Sequence, residues 1–362
     1  MLAKQMTAAN TSNMAKQINV TDVLKLVRKN VLNMKPYSSA RDEFKGEAEI
    51  FLDANENPYP SGYNRYPDPL QWKIKEKLAP IKNVSPEQIF LGNGSDEAID
   101  LIIRAFCEPH QNSILITDPT YGMYAVCAEV NAAPLVKVEL TRDFDLDLEA
   151  LLSAVNAETR VIFLCSPNNP TGNLLSRDKI LKVLEKFQGI VVIDEAYIDF
   201  TTNESFTHLL PSCSNLVVLQ TFSKAWGLAG LRLGMAFSSV EIINILNKIK
   251  YPYNVNIQTQ EIALTALQDV GKKNHAVYEI IEQRAQLEKD LLELPLTEKV
   301  YPSDANFLLV KVKDAPGTYK YLMDRKIIVR DRSKVTLCKN CLRITVGTPK
   351  ENKNLIAALK NL

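Results

Sequence analysis

The sequence predicts an α/β protein: a large domain with a mostly parallel central sheet flanked by helices, and a smaller α+β domain. Three observations predict it. Near-continuous apolar runs at 113–117, 160–165, 190–194 and 216–220 have the pattern of strands buried on both faces. Amphipathic stretches separate these runs, as helices separate the strands of a parallel sheet. From residue 259 onward the alternation gives way to one long helical stretch and scattered strands.

In chain order, residues 1–20 are polar and lack an apolar core, which predicts a flexible arm and not a signal peptide. Asp22 to Leu32 has helical spacing. Residues 21–49 are expected to join a small domain formed by 259–362, while 50–258 make the large domain. A strand near Leu91 leads into a helix with Ser95 as N-cap and Asp96 and Glu97 in its first turn. Further helices start near Tyr121 and at Ser176. Thr259 to Leu294 has the pattern of one long helix, followed by Pro295. Strand-like pieces come next, at Phe307 to Val312, Ile327 to Arg330 and Leu342 to Val346. Lys350 to Leu362 closes the chain as an amphipathic helix.

Composition excludes several functions. The chain has 362 residues, 43 basic and 42 acidic, for a net charge of +1. Such balance argues against nucleic acid or an anionic membrane as the main partner. No apolar run approaches ~18 residues, so no membrane-spanning helix is expected. His110, His208 and His275 are far apart, which disfavours a histidine-rich metal site and a Ser-His-Asp triad. Six cysteines are too sparse for a disulfide framework. Cys338 and Cys341 form the one C-x-x-C, with no second pair to complete a zinc ribbon. Reduced thiols in a reducing cytosol fit this usage, and no metal is expected.

Seven of the 13 glycines cluster at four places, Gly92 with Gly94, Gly122, Gly172, and Gly227 with Gly230 and Gly234, where the backbone must turn sharply or approach a ligand. Leu91-Gly92-Asn93-Gly94-Ser95-Asp96-Glu97 opens a helix, whose free N–H groups favour an anion such as phosphate. Ser166-Pro167-Asn168-Asn169-Pro170-Thr171-Gly172 holds amide side chains at a strand's carboxyl end, the edge where ligands bind in open α/β sheets. Ile193-Asp194-Glu195-Ala196-Tyr197 ends an apolar strand on an acid, which is costly unless paired or beside a ligand. Thr221 through Gly234 packs Lys224 among hydroxyls and glycines, with Arg232 eight residues later. A lysine amine forms Schiff bases with carbonyls. Pyridoxal phosphate needs that lysine, an acid for its pyridine nitrogen, donors for its ring oxygen and a phosphate cup. All four appear in order, each at a strand's carboxyl end.

These segments resemble the fold-type-I pyridoxal-phosphate aminotransferases. S-P-N-N-P-T-G, D-E-A-Y and S-K-x-x-G-L-A-G-x-R-x-G carry the broad likeness. Leu52 to Pro58 (L-D-A-N-E-N-P), Arg65 to Asp68 (R-Y-P-D), Asp118 to Tyr124 (D-P-T-Y-G-M-Y) and Leu342 to Thr348 (L-R-I-T-V-G-T) are similar to the histidinol-phosphate branch. The likeness runs from Lys35-Pro36-Tyr37 to the C-terminus. It implies that Lys224 holds the cofactor and moves the substrate's α-proton. It further implies that Asp194 pairs with the pyridine nitrogen, that Tyr197 and Asn169 hold the ring oxygen, and that Tyr121 stacks on the ring. Gly94, Ser95, Asp96, Thr221, Ser223 and Arg232 would hold the phosphate. Tyr66 would reach it from the neighbouring subunit of a homodimer.

Arg343 and Arg330 are expected to bind the substrate's phosphate or carboxylate with Asn169 nearby, and Tyr37 to gate the pocket. The implied reaction is L-histidinol phosphate plus 2-oxoglutarate giving imidazole acetol phosphate and L-glutamate, in the cytoplasm. Aromatic-amino-acid transamination and threonine-phosphate decarboxylation remain open on the motifs. A non-enzymatic pyridoxal-phosphate sensor would carry an added DNA-binding domain, for which the ~40 residues before the fold leave no room on the usual domain scale.

Overall fold

The structure, a computed structural model, describes residue 18, residues 21–37 and residues 49–362. The arm expected over 1–20 therefore lies, but for Ile18, outside the described residues.

Seven strands form the large sheet: β1 (Ile89–Asn93), β2 (Ser113–Asp118), β3 (Leu135–Glu139), β4 (Thr159–Cys165), β5 (Ile190–Asp194), β6 (Leu216–Thr221) and β7 (Leu233–Ser238). Their order is β1-β7-β6-β5-β4-β2-β3. The pairs β2–β3, β2–β4, β4–β5 and β5–β6 are parallel, and β7 runs antiparallel to both β6 and β1. The carboxyl ends of β1, β2, β4, β5 and β6 therefore share one edge. Because β7 alone is reversed, its amino end joins them there.

Alternate residues of each central strand enter opposite cores, as the period of two dictates. Ile162, Leu164, Val191, Ile193 and Val218 belong to one buried cluster. Val161, Phe163, Ile190, Val192 and Val217 belong to the other. This two-sided burial is why the strands are near-continuously apolar. The fold is that of the fold-type-I transferases anticipated from the motifs.

The second sheet has four antiparallel strands in the order β10-β11-β9-β8. They are β8 (Thr297–Val300), β9 (Phe307–Val312), β10 (Arg330–Asp331) and β11 (Cys341–Thr345). Leu308, Val310, Leu342 and Ile344 pack there against Leu287 and Leu291 of helix Val270–Leu292, and against Leu355 and Ile356 of helix Pro349–Lys360.

Four details differ from expectation. The long helix is two, Ile257–Leu267 and Val270–Leu292, because the Asp269 carboxylate caps the second by accepting from Lys272 N–H. The strand expected over 327–330 is reduced to Arg330–Asp331. Ser95 does not cap its helix: it lies inside Gly94–Phe106, with Asn93 at the cap position. Residues 21–37 pack on the large sheet's side and not on the small sheet. Val23, Val27 and Val31 recur every four residues and fill the same core as Phe90, Ile99, Ile103 and Phe106. Arg28 reinforces the contact through an ion pair with Glu108 at 3.1 Å.

No helix among the described residues is long and apolar enough to cross a membrane.

Candidate active site

The motif loops converge at the shared strand edge on one cavity of about 860 Å³, which the second sheet closes from the other side. At one end the helix Gly94–Phe106 begins. Gly94 has φ +72° and donates its N–H to the Arg232 carbonyl at 2.6 Å. Gly234 lets the helix start rest on β7, since a Cβ there would lie 2.1 Å from Ser95 N and 2.2 Å from Gly94 C. The first-turn N–H groups lack intrahelical partners and favour an anion. Arg232 stands beside them, its Nη2 3.4 Å from the Asp96 carboxylate. Thr221 Oγ1 accepts from Ser223 N–H at 3.0 Å and shapes the same turn.

Asp194 ends β5 and is 2% exposed. Its carboxylate accepts from Tyr124 OH at 2.7 Å and from Ala196 N–H at 3.0 Å. Burial raises its pKa, and the Tyr124 and Ala196 bonds oppose that rise. A buried carboxylate so placed calls for a cation at its open side. Glu195 beside it serves the fold, accepting from Ser205, Phe206 N–H and Gln220. Tyr121 donates to Asp96 at 3.1 Å, and its ring meets Tyr124 edge-on at 5.6 Å.

Lys224 lies past β6 with its Nζ 5.6 Å from the centre of the Tyr197 ring. Burial, then the charge of Arg343, lower its pKa, while Asp194 acts in the opposite sense. Asn169 Nδ2 donates to Tyr197 OH at 3.4 Å, and Arg343 donates to Asn169 Oδ1 at 2.5 Å. Asn168, fully buried, holds the loop itself by donating to the Pro119 carbonyl and to Thr171 Oγ1.

Thirteen sequence-predicted residues thus line one cavity: Gly94, Ser95, Asp96, Tyr121, Asn169, Asp194, Tyr197, Thr221, Ser223, Lys224, Arg232, Arg330 and Arg343. Tyr66 and Tyr37 do not. Tyr66 is 50% exposed and stacks on Tyr253 at 4.4 Å. Tyr37 is 70% exposed and borders a separate depression with Pro69 and Lys248. Sequence reasoning missed Tyr124, although it stands in the quoted D-P-T-Y-G-M-Y segment. It also missed Arg332, which lines the cavity between Arg330 and Lys334.

The donor set fits pyridoxal phosphate: an amine with a lowered pKa, a buried carboxylate open to a cation, two ring-oxygen donors and an N–H-rich helix start with an arginine. The family model for class I and II aminotransferases matches residues 48–359. The chain belongs to this family. This aminotransferase is 60% identical to the histidinol-phosphate aminotransferase of Parabacteroides distasonis, over 94% of this chain and 99% of that one. It is 58% identical to that of Cytophaga hutchinsonii, over 92% and 97% of the two chains. A solved structure of histidinol-phosphate aminotransferase from Sinorhizobium meliloti, in complex with pyridoxal-5'-phosphate, superposes with a TM-score of 0.75 at 25% identity, covering 85% of this chain and 89% of that one. The aminotransferase is an enzyme whose cofactor is pyridoxal phosphate.

Proposed function

We propose that this aminotransferase converts L-histidinol phosphate and 2-oxoglutarate to imidazole acetol phosphate and L-glutamate, a step of histidine biosynthesis, and does so as a cytoplasmic homodimer. One observation carries the reading: Arg330, Arg332 and Arg343 face the same cavity as Lys224, and among the described residues none of these three meets a carboxylate within ion-pair distance, whereas the fourth guanidinium of the cavity, Arg232, pairs with Asp96. Guanidinium suits both phosphate and carboxylate, so one pocket serves both amino donors. The 60% identity to a histidinol-phosphate aminotransferase supports the substrate.

Pyridoxal phosphate, when bound, withdraws electrons from the substrate's α-carbon. The residues around it take these roles. Lys224 Nζ, its proton affinity lowered by burial and Arg343, would take the proton from the substrate's α-carbon. Asp194 holds its charge against the ring nitrogen and is steadied by Tyr124. Tyr197 and Asn169 donate to the ring oxygen, and Tyr121 covers one ring face. Gly94, Ser95, Asp96, Thr221, Ser223 and Arg232 hold the phosphate group, Arg232 through a charged fork. Tyr66 completes that cup from the partner subunit, and Tyr37 gates the pocket from the N-terminal segment. We also infer a division of labour near residue 258: the proton-moving groups come from 50–258 and the substrate-anion groups from 259–362.

The test is an assay with histidinol phosphate and 2-oxoglutarate, run beside phenylpyruvate and threonine phosphate. The reading expects the first pair to be turned over fastest. Faster turnover of phenylpyruvate, or release of carbon dioxide from threonine phosphate, overturns it.

A further inference from the structure

We propose that Arg332 is a specificity-determining residue, the third guanidinium of a dianion site that distinguishes a phosphate monoester from a carboxylate; this rests on the reaction proposed above. The ladder of β10 and β11 places it. Arg330 stands opposite Arg343, and Arg332 N–H donates to the Cys341 carbonyl at 2.8 Å, carrying the pairing two residues further. Residues two apart in a strand share a face, so Arg330 and Arg332 are presented on the side where all three arginines line the cavity.

The alternative to a ligand site is a surface ion pair with Asp331. Asp331 instead accepts from Ser333 N–H at 2.8 Å, a local turn. Arg332 Nε is closed to water and has no hydrogen-bond partner among the described residues. An arginine with a buried, unpartnered N–H beside two like charges is costly to hold. Burial and the charges of Arg343 and Arg330 push its pKa down to about 10. A carboxylate brings one negative charge, which Arg343 with Arg330 can meet. A phosphate monoester brings close to two above about pH 6, and a third fork matches the extra charge and oxygen.

The experiment follows each half-reaction of the holoenzyme by single-turnover kinetics in wild type, Arg332→Gln and Arg332→Lys. Bound-cofactor absorbance and thermal midpoint verify that the variants are folded. Arg332→Gln should lower kcat/KM for histidinol phosphate about 10- to 100-fold, and this loss should exceed the loss for glutamate by about tenfold. Arg332→Lys should recover part of it. The groups facing Arg332 are Arg330, Arg343, Cys338 and Tyr197, with Lys334 and Asp118 on the same cavity wall. Burial raises Cys338 to about 12 and raises Tyr197 as well, so neither titrates near pH 6. The advantage of wild type over Arg332→Gln should therefore shrink as pH falls through about 6, where the ester loses its second charge. Equal losses for both substrates, or none, overturn the proposal. A wild type inactive on histidinol phosphate would refute the reaction and not Arg332. Inorganic phosphate as a competitor of glutamate then decides: its inhibition constant should rise about fivefold or more in Arg332→Gln, and an unchanged constant overturns the assignment.

Discussion

Lys224 is pulled in two directions: burial and Arg343 favour its free amine, Asp194 favours its ammonium. The first pair prevails, so the amine holds its proton less tightly than an ordinary lysine does. Lys224→Ala should therefore abolish transamination and the visible absorbance of covalently held cofactor, with unchanged circular dichroism. Tyr124→Phe removes the hydroxyl that donates to Asp194 at 2.7 Å. A buried carboxylate losing a donor costs about 1–3 kcal/mol, so kcat should fall about tenfold at 1.4 kcal/mol per decade and the cofactor's absorbance should shift. A Tyr124→Phe enzyme with wild-type kcat and spectrum would leave Tyr124 a packing residue. Arg343→Ala strands the anion it would hold, at about 3–5 kcal/mol, or two to three decades in kcat/KM for both half-reactions; single-turnover assays with each substrate measure this. Most of these residues were legible because polar groups stood at the ends of apolar strands. Tyr124 was not, since an aromatic inside an apolar helix looks like core until β5 brings Asp194 against its hydroxyl. Arg332 was not, since Asp331 beside it suggests an ion pair, whereas the Asp331 carboxylate accepts from Ser333 N–H instead.

The reversed strand β7 is the element on which the site turns. It allows the segment between β6 and β7 to begin and end at one edge, so Lys224 and Arg232 both reach the cavity. Its second residue, Gly234, touches the start of helix Gly94–Phe106. Gly234→Ala should push that helix away, with an overpacking cost of about 1–3 kcal/mol, and weaken cofactor binding about tenfold or more. Gly230→Ala is the contrast, because a Cβ there meets nothing within 4 Å; its change should stay within about 1 kcal/mol. Cofactor dissociation followed by absorbance separates the two. The central strands were legible from two-sided burial. β3 was not, for it is a half-exposed edge strand, and β7 was not, for Gly234 interrupts its apolar run. The division of the long helix was hidden because Asp269 caps it without a glycine or proline to mark the break. The placement of residues 21–37 depended on which apolar face was free, and no local pattern encodes that.

The composite site proposed above makes a prediction for the assembled enzyme. Mixing inactive Tyr66→Ala and Lys224→Ala chains, then unfolding and refolding them together, should restore roughly a quarter of wild-type activity, because half the dimers are mixed and each holds one intact site of two. No recovery would place Tyr66 with its own lysine. Within one chain, the two sheets meet beside the cavity. Asp304 N–H donates to the Gly172 carbonyl at 2.7 Å, Leu174 N–H donates to the Asp304 carboxylate at 3.1 Å, and Arg343 reaches Asn169. These few polar contacts join the proton-moving edge to the arginine face. A molecule lying between Lys224 and Arg343 adds its own adhesion to theirs. By mass action, a ligand at one hundred times its dissociation constant stabilises the folded chain by about 2.7 kcal/mol. Heat resistance should then follow nutrient state: an enzyme saturated with amino donor melts later than one deprived of it, and inorganic phosphate, which touches the arginine face alone, protects it less.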